Sequence, residues 1–318
     1  MNDTGNADQF LERDTSPLSA SPQAPALRPA DGGLSRAAAA MPPPALLLIS
    51  IVSIQLGAAV AVNLFPTLGP VGTTFLRLAF AAILLVAVAR RTIGWRARQH
   101  AGSLLLYGLI LGVMNLCFYA AIARIPLGIA VAIEFVGPLG LAVITSRRGR
   151  DFGWIALAVA GIVLLTPEIG TALDPLGVAL AGVAGLCWAG FIVMSRRLGR
   201  ALPGNSGLAI AMVVATLVVL PVELATGGLG NLDFGLLAAG LAVAILSTAV
   251  PLSLEFEALK RMTTRTYGIL VTLEPVVATA VGAVLLAQAM GERSLVAIAC
   301  VTAAALGVTI SDRRDAPR

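Results

Sequence analysis

Glu134 in "AVAIEFVGPLG" and Glu274 in "ILVTLEPVVAT" each stand in the middle of an apolar run, and each has a proline close behind it, Pro138 and Pro275. A charge at the centre of a membrane helix costs roughly 2.5–3.5 kcal/mol even on lenient scales. Acids kept there are either neutralised by a structural partner or retained for a ligand. Proline has no N–H to give to the carbonyl four residues back. Pro138 therefore frees the carbonyl of Glu134, Pro275 that of Val271 and, in a third run, Pro251 that of Ser247. A carboxylate beside freed carbonyl oxygens suits an amine, another cation or a proton.

Two further acids stand two positions apart, Glu255 and Glu257. That is about 200° around a helix, so they cannot share a face. Glu257 reaches Lys260 and Arg261 at i+3 and i+4 and reads as an ion pair at a helix end, which leaves Glu255 for the interior. Arg77 is the structural alternative, a cation that would neutralise Glu134 and Glu274. It lies only about 6 residues, ~9 Å, from a helix end, so it can equally snorkel to the surface. Gln55, Asn115, Tyr119 and Tyr267 complete the polar set; each can bond a small polar solute or a neighbouring helix. Gly108 and Gly112 form GxxxG, which reads as close helix packing, and Trp154 and Trp188 read as packing or interfacial anchors.

Other chemistries are excluded by what the chain lacks. It has one lysine, Lys260, followed by Arg261, and one histidine, His100. A Walker A loop needs Lys followed by Ser or Thr, and HExxH needs two histidines. Cys117, Cys187 and Cys300 stand singly in apolar runs, as small buried hydrophobes rather than a disulfide framework or metal ligands. No cofactor, metal or catalytic cluster is expected, and so no enzyme.

The elements that hold these side chains must tolerate lipid. Of 318 residues 58% are hydrophobic and 12% charged, and the mean hydropathy is +0.90, which is an integral membrane composition. Ten apolar segments approach the roughly 20 residues that span a bilayer as helix, at 45–62, 71–89, 102–122, 126–145, 152–167, 175–194, 206–224, 234–258, 266–287 and 294–311. Residues 1–40, rich in Ser, Pro, Ala, Asp and Gly, read as a disordered tail without the features of a cleavable signal peptide; Met41, just before the first apolar run, is a second candidate start. The net charge of +5 is no nucleic-acid footprint, because all but three of the 22 bases cluster on one side of the ten-segment count. The exceptions are Arg124, Arg293 and the intramembrane Arg77, and the opposite loops carry acids such as Glu168, Asp174, Glu223 and Asp233. That bias predicts ten helices with both termini cytoplasmic.

"PLGIAVAIEFVGPLGLAVI" in the fourth segment is echoed by "TYGILVTLEPVVATAVGAVLL" in the ninth. Five helices per unit is an odd number, so a repeated unit inserts upside down. This predicts an all-α membrane fold of two inverted five-helix repeats, 41–168 and 169–311, with 312–318 a cytoplasmic tail. Glu134 and Glu274 would then face one midplane site between the repeats. Small-residue faces allow a homodimer without requiring it.

"SIQLGAAVAVNLFP" (53–66), "GVMNLCFYAAIARIPLGIAVAIEFVGPL" (112–139), "SRRGRDFGW" (146–154) and "LAVAILSTAVPLSLEFEALKRMTTRTYGILVTLEP" (241–275) closely resemble the threonine/homoserine exporters of the drug/metabolite transporter superfamily. The resemblance spans about residues 45–311 and implies two EamA-type repeats in a bacterial inner membrane. It further implies efflux of threonine, homoserine and related amino acids or toxic analogues, driven by protons. Glu134, Glu255, Glu274 and Asn115 fall on the matching motifs. Where EamA repeats commonly carry Leu-Gly-Glu near the end of the ninth helix, this chain has Leu286, Ala287 and Gln288; if that acid helps couple transport, coupling here differs, and if it only caps or pairs, nothing follows.

The mechanism expected is alternating access: kinked helices four and nine rock against the rest, and Glu134 or Glu274 exchanges a proton for the ammonium group of an amino acid. The rivals are a broad exporter of drugs or antimetabolites, an importer, an intramembrane enzyme, which would need a nucleophile with a base or a metal cluster within the spans, and a non-transport scaffold that would tolerate Gln at both acids.

Overall fold

The structure is a computed structural model that describes residues 40–61, 64–125, 127–146, 149–165, 173–274, 276–277 and 292–315. Residues 1–39 of the expected tail, Arg147, Arg148, Glu168, Pro275 and the Leu286–Gln288 stretch lie outside the described residues. Among the described residues every regular element is a helix: α1 (Pro43–Ala61), α2 (Phe65–Ala89), the short α3 (Trp95–Gln99), α4 (Ala101–Ile122), α5 (Leu127–Glu134), α6 (Val136–Thr145), α7 (Gly149–Leu165), α8 (Pro175–Ala201), α9 (Ser206–Thr226), α10 (Phe234–Ala244), α11 (Val250–Arg261), α12 (Thr264–Leu270) and α13 (Glu292–Asp315). Five helical stretches in this set are long and apolar enough to cross a bilayer: Phe65–Ala89, Ala101–Ile122, Pro175–Ala201, Ser206–Thr226 and Phe234–Arg261.

Local chemistry sets the boundaries. Asp174 Oδ1 accepts from Leu176 N (3.0 Å) at the start of α8, Asp233 Oδ1 from Leu236 N (2.7 Å) at the start of α10, and Thr263 Oγ1 from Thr266 N (3.1 Å) at the start of α12. Each of these caps satisfies a backbone donor that has no partner inside its own helix. α2 bends at Gly69, whose φ of 65° suits glycine, immediately before Pro70. The fourth apolar segment breaks at Phe135, between α5 and α6, one residue past Glu134.

In the eighth segment a π turn, Ile245–Ala249, separates α10 from α11. The sequence pointed to Ser247 as the carbonyl freed by Pro251. The π register, in which Val250 N–H reaches back to Ile245 O, makes Pro251 the missing donor to Leu246 instead. Ser53 of α1 fills that vacancy, its Oγ donating to Leu246 O at 2.5 Å.

The bundle packs α4 against α8 and α9, α2 against α9 and α10, α1 against α11, α6 against α12, and α7 against α13. Gly108 and Gly112 of α4 lie on Val214 and Val218 of α9, so the GxxxG is a helix-packing seam within the chain. Two expectations need correcting. Glu223 is only 1% exposed, buried near Gly72 and Gly228 at the end of α9 rather than in a loop. The three cysteines are partly exposed free thiols rather than fully buried.

Candidate functional site

A cavity of about 410 Å³ lies inside the bundle. α1 brings Gln55 to it, α2 Arg77, α4 Asn115 and Tyr119, α5 Glu134, α8 Trp188, and the π turn Ser247 and Thr248; Glu255 comes from α11 and Glu274 from beyond α12. Of the polar residues singled out in the sequence, seven therefore border one space. Tyr267 does not. It is fully buried, and its hydroxyl donates to Glu255 Oε2 at 3.0 Å, so it holds a carboxylate rather than meeting a solute.

Glu134 reaches the cavity because of what lies behind it. The α5–α6 break is pressed against α8 at Gly185, where an added Cβ would stand 2.7 Å from the Glu134 carbonyl oxygen. Gly137 meets the backbone of the same Gly185. Two glycines thus let the backbones touch and turn the acid inward.

The three acids differ in company. Glu134 and Glu274 have no hydrogen-bond or ion-pair partner among the described residues. They lie close enough to act on each other electrostatically, and Glu274 also senses Glu255. Glu255, 4% exposed, accepts on both oxygens: Ser50 Oγ donates to Oε1 at 2.8 Å and Tyr267 to Oε2 at 3.0 Å. Arg77 does not neutralise the acids as a structural pair. Its Nη2 donates to Asn115 Oδ1 at 2.7 Å, Asn115 Nδ2 in turn donates to Leu111 O at 2.8 Å, and the buried Nε has no partner. Glu257 lies away from the cavity, its carboxylate 2.8 Å from Lys260 Nζ and 3.7 Å from Arg261 Nε.

Sequence reasoning missed Ser50 and the aromatic wall. Trp188, read as an anchor, lines the cavity and packs on Phe135 with ring centroids 5.0 Å apart. Ser50 was detectable through its neighbours: Ser50, Ser53 and Gly57 fall at i, i+3 and i+7, a small and polar stripe along an apolar helix. Several bulky side chains, Tyr107, Phe256 and Tyr267, are fully buried nearer the helix ends that carry Arg96, Arg98, Lys260 and Arg261, so the bundle is filled on that side of the cavity. The set can bind an ammonium group and a carboxylate together. It has no nucleophile–base pair, and no group of metal ligands occurs among the described residues.

Comparison with known proteins fits this geometry. Residues 175–310 match the EamA-like transporter family. The threonine/homoserine exporter RhtA of Salmonella typhimurium is 42% identical over 275 residues, which covers 85% of this chain and 92% of that protein. Its namesake in Escherichia coli is 41% identical over 278 residues, 86% of this chain and 93% of its own. A solved crystal structure 20% identical to this chain superposes with a TM-score of 0.69 over 86% of this chain and 99% of its own, which shows a shared fold. The two exporters agree with this chain along most of both sequences, and the chain belongs to the EamA-type threonine/homoserine exporter family of multi-pass membrane transporters.

Proposed function

We propose that the protein exports threonine, homoserine and related small amino acids or their toxic analogues across the bacterial inner membrane, in antiport with protons. The observation that carries this reading is one internal cavity bordered by three carboxylates, Glu134, Glu255 and Glu274, with Arg77 as the only cation among the described residues lining it. A zwitterion suits such a lining. Its ammonium group is held between Glu134 and Glu274, and its carboxylate lies toward Arg77 and Asn115, where charge-assisted hydrogen bonds are strongest. Relatives 41–42% identical to this chain are named threonine/homoserine exporters, which supports the choice of solute.

The proposed frame is ten helices in two inverted repeats, 41–168 and 169–311, with both termini and the basic loops cytoplasmic. Packing supports it: exchanging the repeats turns the α4–α8 contact into α11–α1 and the α4–α9 contact into α10–α2, while α2–α9, α6–α12 and α7–α13 map onto themselves. Alternating access then opens the cavity to one side at a time, with the side filled by Tyr107, Phe256 and Tyr267 facing the cytoplasm in this structure.

Growth under toxic loads of threonine, homoserine and their analogues, with and without the gene, tests the reading when intracellular solute is measured in parallel. Export predicts resistance together with a lower internal pool; resistance without that fall would refute it. In vesicles, efflux by the unaltered protein should rise with an imposed pH difference, and a flux indifferent to that gradient would defeat the coupling claim. A broader drug or antimetabolite exporter is the second reading, favoured by the size of the cavity. At about 410 Å³ it falls within the ~300–1,000 Å³ of drug-sized sites, and Phe118, Tyr119, Phe135 and Trp188 line it. Competition by a panel of solutes in inside-out vesicles decides between the two.

A further inference from the structure

Ser50 has one hydroxyl hydrogen and two acceptors within reach, Glu255 Oε1 at 2.8 Å and the Pro251 carbonyl oxygen at 3.1 Å. A hydroxyl is also an acceptor, and a carbonyl has two lone pairs. The cluster therefore has two complete bonding patterns. With Glu255 charged, Ser50 donates to Oε1 and Tyr267 to Oε2. With Glu255 protonated on Oε1, that O–H donates to Ser50 Oγ, the Ser50 hydrogen turns to the Pro251 carbonyl, and Tyr267 still donates to Oε2. One proton is added, one hydrogen rotates, and no buried polar atom in the cluster is left unpaired. Side chains this deeply buried gain a great deal from being satisfied in both states, because an unpaired polar group in a low-dielectric interior is costly.

We infer that Glu255 carries the coupling proton, with Ser50 as the pivot and Tyr267 as the fixed donor that position it, while Glu134 and Glu274 grip the substrate's ammonium group. This deepens the proposed antiport and rests on it. The titratable and charged groups around Glu255 are consistent with a site that changes charge. Tyr267 touches it, Tyr107 and Glu274 lie within its electrostatic reach, and Arg77 and Glu134 border the same cavity. α1, which supplies Ser50, has no titratable side chain of its own; the arginines of α8, Arg196, Arg197 and Arg200, lie in its last two turns. Lys260 and Arg261 of α11 are engaged by Glu257.

The full-length protein in lipid vesicles, with threonine as probe, gives two fluxes to compare: efflux driven by an imposed pH difference, and threonine–threonine exchange at equal pH. Glu255→Gln should lower the driven flux at least about tenfold more than the exchange, an amount set by losing the proton site rather than the substrate site. Tyr267→Phe and Ser50→Ala should shift the pH midpoint of driven efflux by about one unit, a tenfold change in proton affinity, and Ser50→Thr should restore the Ser50→Ala profile. Equal loss of both fluxes in Glu255→Gln, or an intact driven flux, overturns the inference. Should Glu255→Gln fail to insert, the Ser50 and Tyr267 profiles decide: unmoved midpoints overturn it. A second measurement uses no solute. Infrared difference spectra between acid and alkaline pH should show a carboxyl signal that Glu255→Gln removes and that Ser50→Ala and Tyr267→Phe displace; a signal unaffected by all three overturns the inference. Failure of the export reading would look different, as wild-type vesicles that move neither threonine nor homoserine while the carboxyl signal persists.

Discussion

Glu255 and the pair Glu134 and Glu274 border the same cavity yet sit in opposite kinds of environment. Glu255 is closed in by Ser50 and Tyr267, one hydroxyl to each oxygen. Glu134 and Glu274 meet no bonding partner among the described residues, and each stands in the field of another acid. A buried acid with its partners in place needs no ligand to be stable. Two acids without partners are costly unless something positive or a proton arrives. The contrast separates a side chain the fold has satisfied from a pair that, in the proposed export cycle, the solute would meet.

The largest expected effect breaks the unpartnered half. Glu134→Gln combined with Glu274→Gln removes both charges that would face an ammonium group. Truncating one member of a buried charge pair costs about 2–5 kcal/mol of binding, which is at least ~30-fold in affinity. Threonine binding, followed by calorimetry or ligand-induced thermal shift in detergent, should therefore fall below detection. The fold should be no less stable than the parent, since no bond to either side chain is made among the described residues. Wild-type binding by the double variant would mean that the solute does not meet these acids at all.

An intermediate effect comes from moving one acid without changing its chemistry. Gly185→Ala places a Cβ 2.7 Å from the Glu134 carbonyl oxygen, and backbone on backbone cannot yield as a flexible side chain would. Overpacking of this kind costs roughly 1–3 kcal/mol, seen as a lower unfolding midpoint, and should weaken threonine binding by tilting Glu134. The Glu255 cluster, built from α1, α11 and α12, should keep its infrared signature. Loss of both together would show that the two environments are a single unit.

How much of this was legible in sequence follows from how local each signal is. Glu134, Glu255 and Glu274 stand out because a charge in an apolar run is rare whatever its surroundings. The helix break at Phe135 follows from Pro138 by the same short-range logic. The switch from Ser247 to Leu246 as the freed carbonyl does not, because a π register is a one-residue slip that no local pattern records. It is set by Gly57 and Ser53 of α1 packing across 190 residues of chain. Ser50 could be placed on a small and polar stripe with Ser53 and Gly57, but its partner could not be read: a serine in a membrane helix usually bonds its own backbone, and only the fold places this one against Glu255. Tyr267 could be assigned to an interface by sequence, but whether its hydroxyl faces solute or acid depends on where α11 crosses α12. Trp188 looked like an anchor because membrane tryptophans commonly are.

The smallest expected effect sharpens the comparison along a single helix. Glu257 lies two residues from Glu255 on α11, yet its side chain is 24% exposed and its partners are cations rather than hydroxyls. Glu257→Gln removes an i,i+3 and an i,i+4 ion pair. Lys260 is not stranded by this, because Nζ also donates to Gly204 O at 2.9 Å and lies 4.8 Å from the Phe256 ring centroid. Partly exposed pairs of this sort contribute about 0–1 kcal/mol, so the unfolding midpoint should move little, less at high salt than at low, and threonine flux should match the parent. A Glu257→Gln protein that lost proton-driven efflux as Glu255→Gln is expected to would mean that charge anywhere on α11, rather than a carboxyl held in both protonation states, governs coupling. Matching fluxes would confine the effect to the one face of the helix that Ser50 and Tyr267 enclose.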